Sequence, residues 1–270
     1  LRSPLLADIL AAETAAVHRI CRREENMRKR LAVTSLALAA LLAACGSLLA
    51  TPTPIPTATP TPTPTPKELL EQAADATLAA KSLAFTLLRE GEPVLFDPNT
   101  GIKFSEASGE YQAPDRVYAK IKAQFGGTLL ELEMFWLPEG VITSNPLTGG
   151  YTALSVSPPF NAVAALGKDG FPGVLKSLDN VTREGTEQIE DVETLHLRGE
   201  IDQSRLVDPT GAMSVLMPEA GTYVVDVWMD ITTSYIVRLT LTEPGGSKWL
   251  MDLSEYDAPV EIEAPEGVLP

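Results

Sequence analysis

The sequence predicts an α+β domain, a long antiparallel sheet interrupted by helices. Three observations carry this reading. Between residues 82 and 256 apolar side chains recur mostly at every second position, the pattern of strands with one covered face and one wet face. Turn signals separate these runs, notably Gly126-Gly127 and Glu243-Pro244-Gly245-Gly246. Two stretches, one before residue 82 and one across 159–178, change to helical spacing instead.

The first helix is expected over 67–78, where Leu70, Ala74 and Leu78 form a stripe at i, i+4 and i+8. A strand over 82–89 comes next, with Leu83, Phe85 and Leu87 on one face. In the strand 115–125, Val117, Ala119, Ile121 and Ala123 face one way, and Tyr118, Lys120 and Lys122 the other. In the strand 128–137, Leu130, Leu132, Met134 and Trp136 oppose Glu131 and Glu133. A short strand over 141–144 is bounded by the turns Asn145-Pro146 and Gly149-Gly150. Helices over 159–166 and 170–178 come after it, their apolar side supplied by Phe160, Val163, Ala164, Phe171, Val174, Leu175 and Leu178. Strands resume over 186–189, 193–201, 222–230, 234–242 and 248–256, with a partly helical connection over 203–220.

Ahead of this domain stands an export signal. Met27-Arg28-Lys29-Arg30 is a basic segment, and 31–44 is an uncharged, mostly apolar run of 14 residues. Such a run is shorter than the ~20 residues a membrane-spanning helix needs. A basic segment, a short apolar core and small residues before a cut describe a secretory signal. Leu42-Ala43-Ala44-Cys45 resembles a bacterial lipobox, in which the cysteine thiol takes a diacylglycerol before cleavage. An ordinary secretory signal is the rival reading, and a buried apolar helix a lesser one, since 31–44 offers only Thr34 and Ser35 as polar residues. The stretch after Cys45 favours a tether. Residues 51–66 are almost wholly threonine and proline, a composition that forms an extended polyproline-like stalk. At ~3.1 Å per residue its 16 residues reach about 50 Å. The chain therefore divides into 1–26, an overextended gene start or a long basic lead-in; 27–44, a lipoprotein signal peptide; 45–66, a lipidated cysteine with its Thr/Pro-rich linker; and 67–270, the domain.

Charge and residue inventory narrow the function. The whole chain carries a formal net charge of −15, and 67–270 holds 14 Lys and Arg against 32 Asp and Glu. That balance argues against nucleic acid as a partner. The domain has no cysteine, so it has no disulfide framework and no cysteine-based metal site. Its one histidine, His196, falls on the strand face opposite Leu195 and Leu197, and no Gly-x-Ser-x-Gly elbow or phosphate loop is present. No catalytic residue, metal ligand or cofactor is expected, and the chain reads as a non-enzymatic protein.

Several stretches together resemble one family. Ala113-Pro114-Asp115-Arg116-Val117-Tyr118-Ala119-Lys120, Pro159-Phe160-Asn161-Ala162-Val163-Ala164-Ala165-Leu166, Asp191-Val192-Glu193-Thr194-Leu195-His196-Leu197-Arg198-Gly199 and Asp226-Val227-Trp228-Met229-Asp230 match, in order and spacing, the LppX/LprG-type bacterial lipoproteins with their LolA-like fold. The likeness covers nearly all of 67–270. It departs from the family pattern at Leu195, where a tyrosine is usual, at Asp191, where a glycine is usual, and in a longer link over 91–112. The resemblance implies a curved antiparallel sheet, a half-barrel, with helices covering its concave face and acyl chains of lipids or glycolipids held between. The protein would then be exported and anchored to the membrane through acylated Cys45 on the extracytoplasmic side, with a further envelope protein as a possible partner. The expected cavity wall combines Leu83, Phe85 and Leu87 with Val117, Ala119 and Ile121, and with Leu130, Leu132, Met134 and Trp136. Leu195 and Leu197 complete the sheet side, and Phe160, Val163, Val174, Leu175 and Leu178 face them from the helices. Two other functions suit the same fold: a lipid-responsive regulatory module of the RseB kind, and a structural envelope lipoprotein whose core its own side chains fill.

The lipobox makes the first prediction. Two acyl chains give stable anchoring where one is marginal. Cys45→Ala should therefore leave the precursor unprocessed, or release it from the membrane if another peptidase cuts. Cell fractionation with immunoblotting checks this, and unchanged cleavage with unchanged membrane retention would refute it.

Overall fold

The computed structural model describes residues 63–268 except 98–100, 147, 156, 157 and 159. The expected signal, Cys45 and most of the Thr/Pro tract lie outside the described residues. Residues 62–270 form one compact unit with its own continuous hydrophobic core, the hallmark of an independently folding domain.

The chain runs through α1 (Pro66–Ala79), β1 (Ser82–Glu90), β2 (Val94–Asp97), β3 (Ile102–Gln112), β4 (Arg116–Phe125), β5 (Thr128–Leu137), β6 (Gly140–Ser144) and β7 (Tyr151–Ala153). It continues through α2 (Ala162–Leu166), α3 (Phe171–Lys176), β8 (Asp179–Ile189), β9 (Val192–Asp202), a 3₁₀ turn (Gln203–Arg205), α4 (Ala212–Leu216), β10 (Thr222–Asp230), β11 (Ile236–Thr242) and β12 (Lys248–Ser254). The strands make one twelve-stranded sheet in the order β7-β6-β5-β4-β3-β1-β12-β11-β10-β9-β8, with β2 added beside β3. Every pairing is antiparallel. The sheet is an open half-barrel, and its two halves meet where β12 lies against β1.

Register aligns the apolar positions into rows on the concave face. Phe85 sits opposite Leu253 and Leu87 opposite Met251. Met251 is in turn opposite Leu239, Leu239 opposite Val227 and Val227 opposite Leu197. A slip of one residue would turn any of these rows outward. The hairpin between β4 and β5 fixes one register locally. Phe125 pairs with Thr128, and the two turn residues Gly126 and Gly127 have φ of +55° and +84°, the left-handed pair a tight hairpin turn requires.

Helices cover the concave face in two pairs. α1 packs on α3 and lies over β8 and β11, while α2 packs on α4 and over β4. α1 buries Leu70, Ala73, Ala74 and Thr77. Its start revises the expected boundary at 67. Pro66 occupies the first turn, and Thr65 caps it: the Thr65 hydroxyl accepts from the Glu68 amide while the Glu68 carboxylate accepts from the Thr65 amide. Proline is tolerated there because the first helical amides have no intrahelical partner anyway. The last two residues of the Thr/Pro tract thus belong to the folded helix.

Four stretches depart from the expected strands and helices, each for a physical reason. The link 91–112 holds β2 and β3. Alternation is hidden in β3 by a bulge between Phe104 and Glu106, so its inward residues fall at Phe104, Ala107, Gly109 and Tyr111, the middle two too small to mark a strand face. β8 begins at Asp179 rather than 186, because an edge strand with polar residues on both faces and two register shifts carries no period to read. β7 is only three residues long, too short for a period. The two short helices are also shorter than expected, α2 starting at Ala162 behind its Asn161 cap and α3 ending at Lys176.

The cap yields a prediction. The Thr65 backbone amide, and then its hydroxyl, hold the Glu68 carboxyl below its ordinary value. A depressed carboxylate contributes stability that is present above about pH 4.5 and is lost as pH falls through the lowered folded value. Thr65→Ala should lower the melting temperature of 62–270 by about 2–4 °C. It should also flatten the acid limb of the stability profile below about pH 4.5 in part, because the hydroxyl is lost while the Thr65 amide, the larger cause, remains. Thermal melts of both proteins from pH 7 to pH 2.5 check this.

Candidate functional site

Between the sheet and the α2/α4 pair lies a cavity of about 50 Å³. Phe85 and Leu87 of β1, Phe104 and Ala107 of β3, Ala119 and Ile121 of β4, Trp136 of β5, and Trp249 and Met251 of β12 form its sheet side. Phe160, Ala162, Ala165, Leu166, Phe171, Val215 and Leu216 cover it, and Val94 and Leu95 of β2 stand at its rim. Every lining residue is apolar. The one nitrogen that an indole brings from β5, Trp136 Nε1, is buried without a hydrogen-bond partner. Leu95 is 43 % exposed, so the cavity meets solvent at β2.

Six of the candidate cavity residues line this space: Phe85, Leu87, Ala119, Ile121, Trp136 and Phe160. The others do not. Leu83, Val117, Leu132 and Met134 are buried in the core, and Leu130 is half-buried near the β4–β5 turn. Val174, Leu175, Leu178, Leu195 and Leu197 are buried under the other half of the sheet, where α1 and α3 fill the concavity. Val163 packs against the core from α2 without lining the space. The difference has a simple origin. Alternation tells which face of a strand is inward, but the placement of covering helices decides which inward residues meet a void. Of the lining residues outside the expected wall, Phe104 and Ala107 were hidden by the bulge, Val94 and Leu95 lie in β2, Val215 and Leu216 in α4, and Ala162, Ala165, Leu166 and Phe171 in the two helices that precede β8. Trp249 and Met251 alternate with Leu253 in the sequence, and that alternation was the available signal for them.

A buried ion pair closes one end of the site. Arg89 continues the inward row of β1 beyond Leu87, and Glu243 continues that of β11 beyond Leu241. Their side chains are 3 % and 1 % exposed, and they meet in a fork with two 2.7 Å bonds, Nη1 to Oε1 and Nη2 to Oε2. Arg89 Nε also donates to the Glu92 carbonyl at 2.8 Å, and the guanidinium lies 4.9 Å from the centre of the Trp249 ring. Trp249 in turn donates from Nε1 to the Leu216 carbonyl of α4 at 2.8 Å and packs on Phe104 at 5.3 Å between ring centres. The chain then bends from β1 into β2 at Gly91, whose φ is +92°. A Cβ there would stand 2.6 Å from Ser247 Oγ, the same oxygen that accepts the Glu92 amide at 2.9 Å. Nearby, burial pushes the Tyr223 phenol up to about 12; its hydroxyl donates to the Glu219 carbonyl at 3.1 Å and accepts the Glu219 amide at 2.9 Å.

His196 lies on the convex face, away from the cavity. Its Nδ1 is 2.9 Å from Glu187 Oε1 and its Nε2 2.8 Å from Asp226 Oδ1. Arg198 Nε donates to the same Asp226 oxygen at 2.7 Å, and the imidazole stacks on Trp228 at 4.4 Å and 12°. The arrangement is a hydrogen-bonded strand cluster joining β8, β9 and β10. Glu133 likewise faces outward, accepting from the hydroxyls of Tyr118 and Tyr151. Among the described residues no group of three or more His, Cys, Asp or Glu side chains is placed to hold a metal ion.

A half-barrel of twelve antiparallel strands with short helices over an apolar concave face defines a class of lipoprotein domain, and the family model agrees. The chain belongs to the LppX_LprAFG lipoprotein family, whose model matches residues 65–262. Among solved structures it is similar to LprF from Mycobacterium bovis, with 19 % identity, a TM-score of 0.58, and coverage of 77 % of this chain and 100 % of that one. It is also similar to the lipoprotein LppX of Mycobacterium tuberculosis, with 16 % identity, a TM-score of 0.52, and coverage of 73 % of this chain and 98 % of that one. At such identities these two show the shared fold. No curated protein is a significant match.

The ion pair gives a third prediction. Removing one partner of a buried pair strands the other, at a cost of about 3–5 kcal/mol. Arg89→Met should destabilise the domain by that amount, and the double change Arg89→Met with Glu243→Leu should recover most of the loss. Denaturant unfolding of the single and double variants measures this directly.

Proposed function

We propose that this protein is an exported lipoprotein, anchored through acylated Cys45, which binds acyl chains of a lipid or glycolipid in the cavity under α2 and α4. It carries or presents them in the cell envelope. In this reading 27–44 is the removed signal, Cys45 the first mature residue, and the Thr/Pro tract a spacer that ends where Thr65 caps α1. The observation that supports it is the cavity wall: eighteen residues, none of them polar or charged, in a protein whose exterior is strongly acidic. A void lined only by apolar groups excludes polar ligands by their desolvation cost and accepts hydrocarbon.

The space of about 50 Å³ is far below the ~300–1,000 Å³ of a typical ligand pocket. Binding a chain therefore requires the cover to move. α2 and α4 have five residues each, far short of the ~12–15 at which helices begin to hold on their own. They stay in place through side-chain packing and through the Trp249 bond to the Leu216 carbonyl. Both lift more readily than the longer, capped α1. The filled half under α1 and α3 keeps the sheet curved while the other half opens.

The test combines loading and blocking. Domain 62–270 made in a bacterial host should show bound lipid in native mass spectra, and the delipidated form should take up a fluorescent fatty acid. Ala119 is 2 % exposed and lies on the cavity wall. Ala119→Phe should weaken uptake at least about tenfold while costing about 1–3 kcal/mol of stability. A wild-type domain that carries no lipid and takes up no fatty acid would overturn the proposal.

A further inference from the structure

We propose that the end of the sheet carrying Leu95, Phe125 and Leu129 is a membrane-contact surface that seats directly on a lipid bilayer. The contact goes beyond ligand binding in the cavity, though its use for lipid transfer rests on that reading.

Three of the six exposed large apolar side chains among the described residues are in β2 and beside the β4–β5 turn; the others, Leu154, Val207 and Ile231, belong to other segments. Leu129 is 62 % exposed, Phe125 52 % and Leu95 43 %. Register places two of them in one cross-strand row: Leu95 pairs with Lys103, Lys103 with Gln124 and Gln124 with Leu129. At ~4.8 Å between strands the row is about 14 Å long. Lys103, Gln124 and Leu129 alternate with the inward Phe104, Ala123 and Leu130 and so lie on the convex face, whereas Phe125, the next residue after Gln124, points to the concave side. The β4–β5 end thus carries an exposed apolar side chain on each face, Leu129 on one and Phe125 on the other, with Lys103 and Gln124 in the row beside Leu129. A flat protein partner would cover one of those faces. A fluid phase entered end-on covers both, and Phe and Leu side chains sit well at the boundary of headgroups and acyl chains. Leu95 also belongs to the cavity wall, so the contact adjoins the cavity mouth.

The path of the chain points the same way. Lys67, in the first turn of α1, donates to the carbonyls of Lys176 and Leu178, just before β8 begins at Asp179. From Asp179 the register runs to Glu200, Val224, Thr242, Lys248 and Glu90, the residue that leads into β2. The first turn of α1 is therefore at the same end of the sheet as the apolar rim, while Thr77 near its last turn bonds the Ile236 amide at the opposite end. The tract preceding Thr65 joins the domain at the rim end. A tether of about 50 Å reach fixed in a membrane would enter the domain at that end and leave the rim within reach of the bilayer. The domain is acidic overall, with 14 Lys and Arg against 32 Asp and Glu over 67–270, so the contact is expected to be hydrophobic and insensitive to salt.

The experiment uses domain 62–270, which lacks the anchor, with vesicles of phosphatidylcholine. The wild-type domain should sediment with the vesicles equally at low and high salt. The double variant Phe125→Glu with Leu129→Glu should bind at least about tenfold more weakly, with an unchanged melting temperature and unchanged uptake of fatty acid from solution. A variant that binds vesicles as the wild type does, or a wild type that does not bind them, would overturn the proposal. So would self-association of the wild type that the substitutions abolish while vesicle binding persists, which would assign the rim to a second copy of the chain. Loss of vesicle binding in a protein that takes up no fatty acid would uphold the contact and reject the cavity reading alone.

Discussion

The pairing of β1 with β12 is the constraint on which the rest of this domain depends. It joins residues 84–90 to residues 248–254, so the chain closes a loop of more than 150 residues before the two halves of the sheet become one. Closure over such a length is entropically costly and slow relative to hairpin formation. The return is a continuous concave face. Without it, Phe85 and Leu87 lose Leu253 and Met251 as neighbours, and β1–β7 and β8–β12 become two sheets, each with an uncovered apolar side. The seam is also where the cavity lies, since both of its strands contribute to the wall.

The Arg89–Glu243 fork strengthens one end of that seam. It sits where inward rows of β1 and β11 run out of apolar residues and where the chain bends toward β2. Replacing such a pair by well-fitted hydrocarbon is often neutral or stabilising, so its presence is better explained by what it positions. The guanidinium supports the Trp249 ring, and Trp249 holds α4 through the Leu216 carbonyl. A charged pair with fixed bonding geometry thus sets the height of one covering helix over an otherwise non-directional apolar surface.

The cover itself divides the concave face into two regimes. α1 is 14 residues long, capped at its start and packed on α3. Beneath it the interior is filled. α2 and α4 are one turn and a fraction each, and beneath them a void remains. One sheet thereby carries a longer, capped cover on one half and two five-residue helices over a void on the other.

How much of this was legible in the sequence depends on what each signal measures. Alternation in 115–125 and 128–137 located β4 and β5, and Gly126-Gly127 located their turn, because hairpin pairing and its turn chemistry are local. The inward identity of Leu195, Leu197 and the helix residue Leu175 was equally local, and all three are buried. β3 and the first half of β8 were illegible because a bulge and an exposed edge remove the period. The cavity was legible only in part for a different reason. By itself the sequence determined which side chains avoid water, where the chain turns, and the apolar run and cysteine ahead of the domain. Only the tertiary structure decided that Phe85 and Ala119 border a void while Leu195 and Val174 do not, because a void is the difference between the volume a curved sheet encloses and the volume its covering helices fill, and both are set by contacts between residues far apart in the chain.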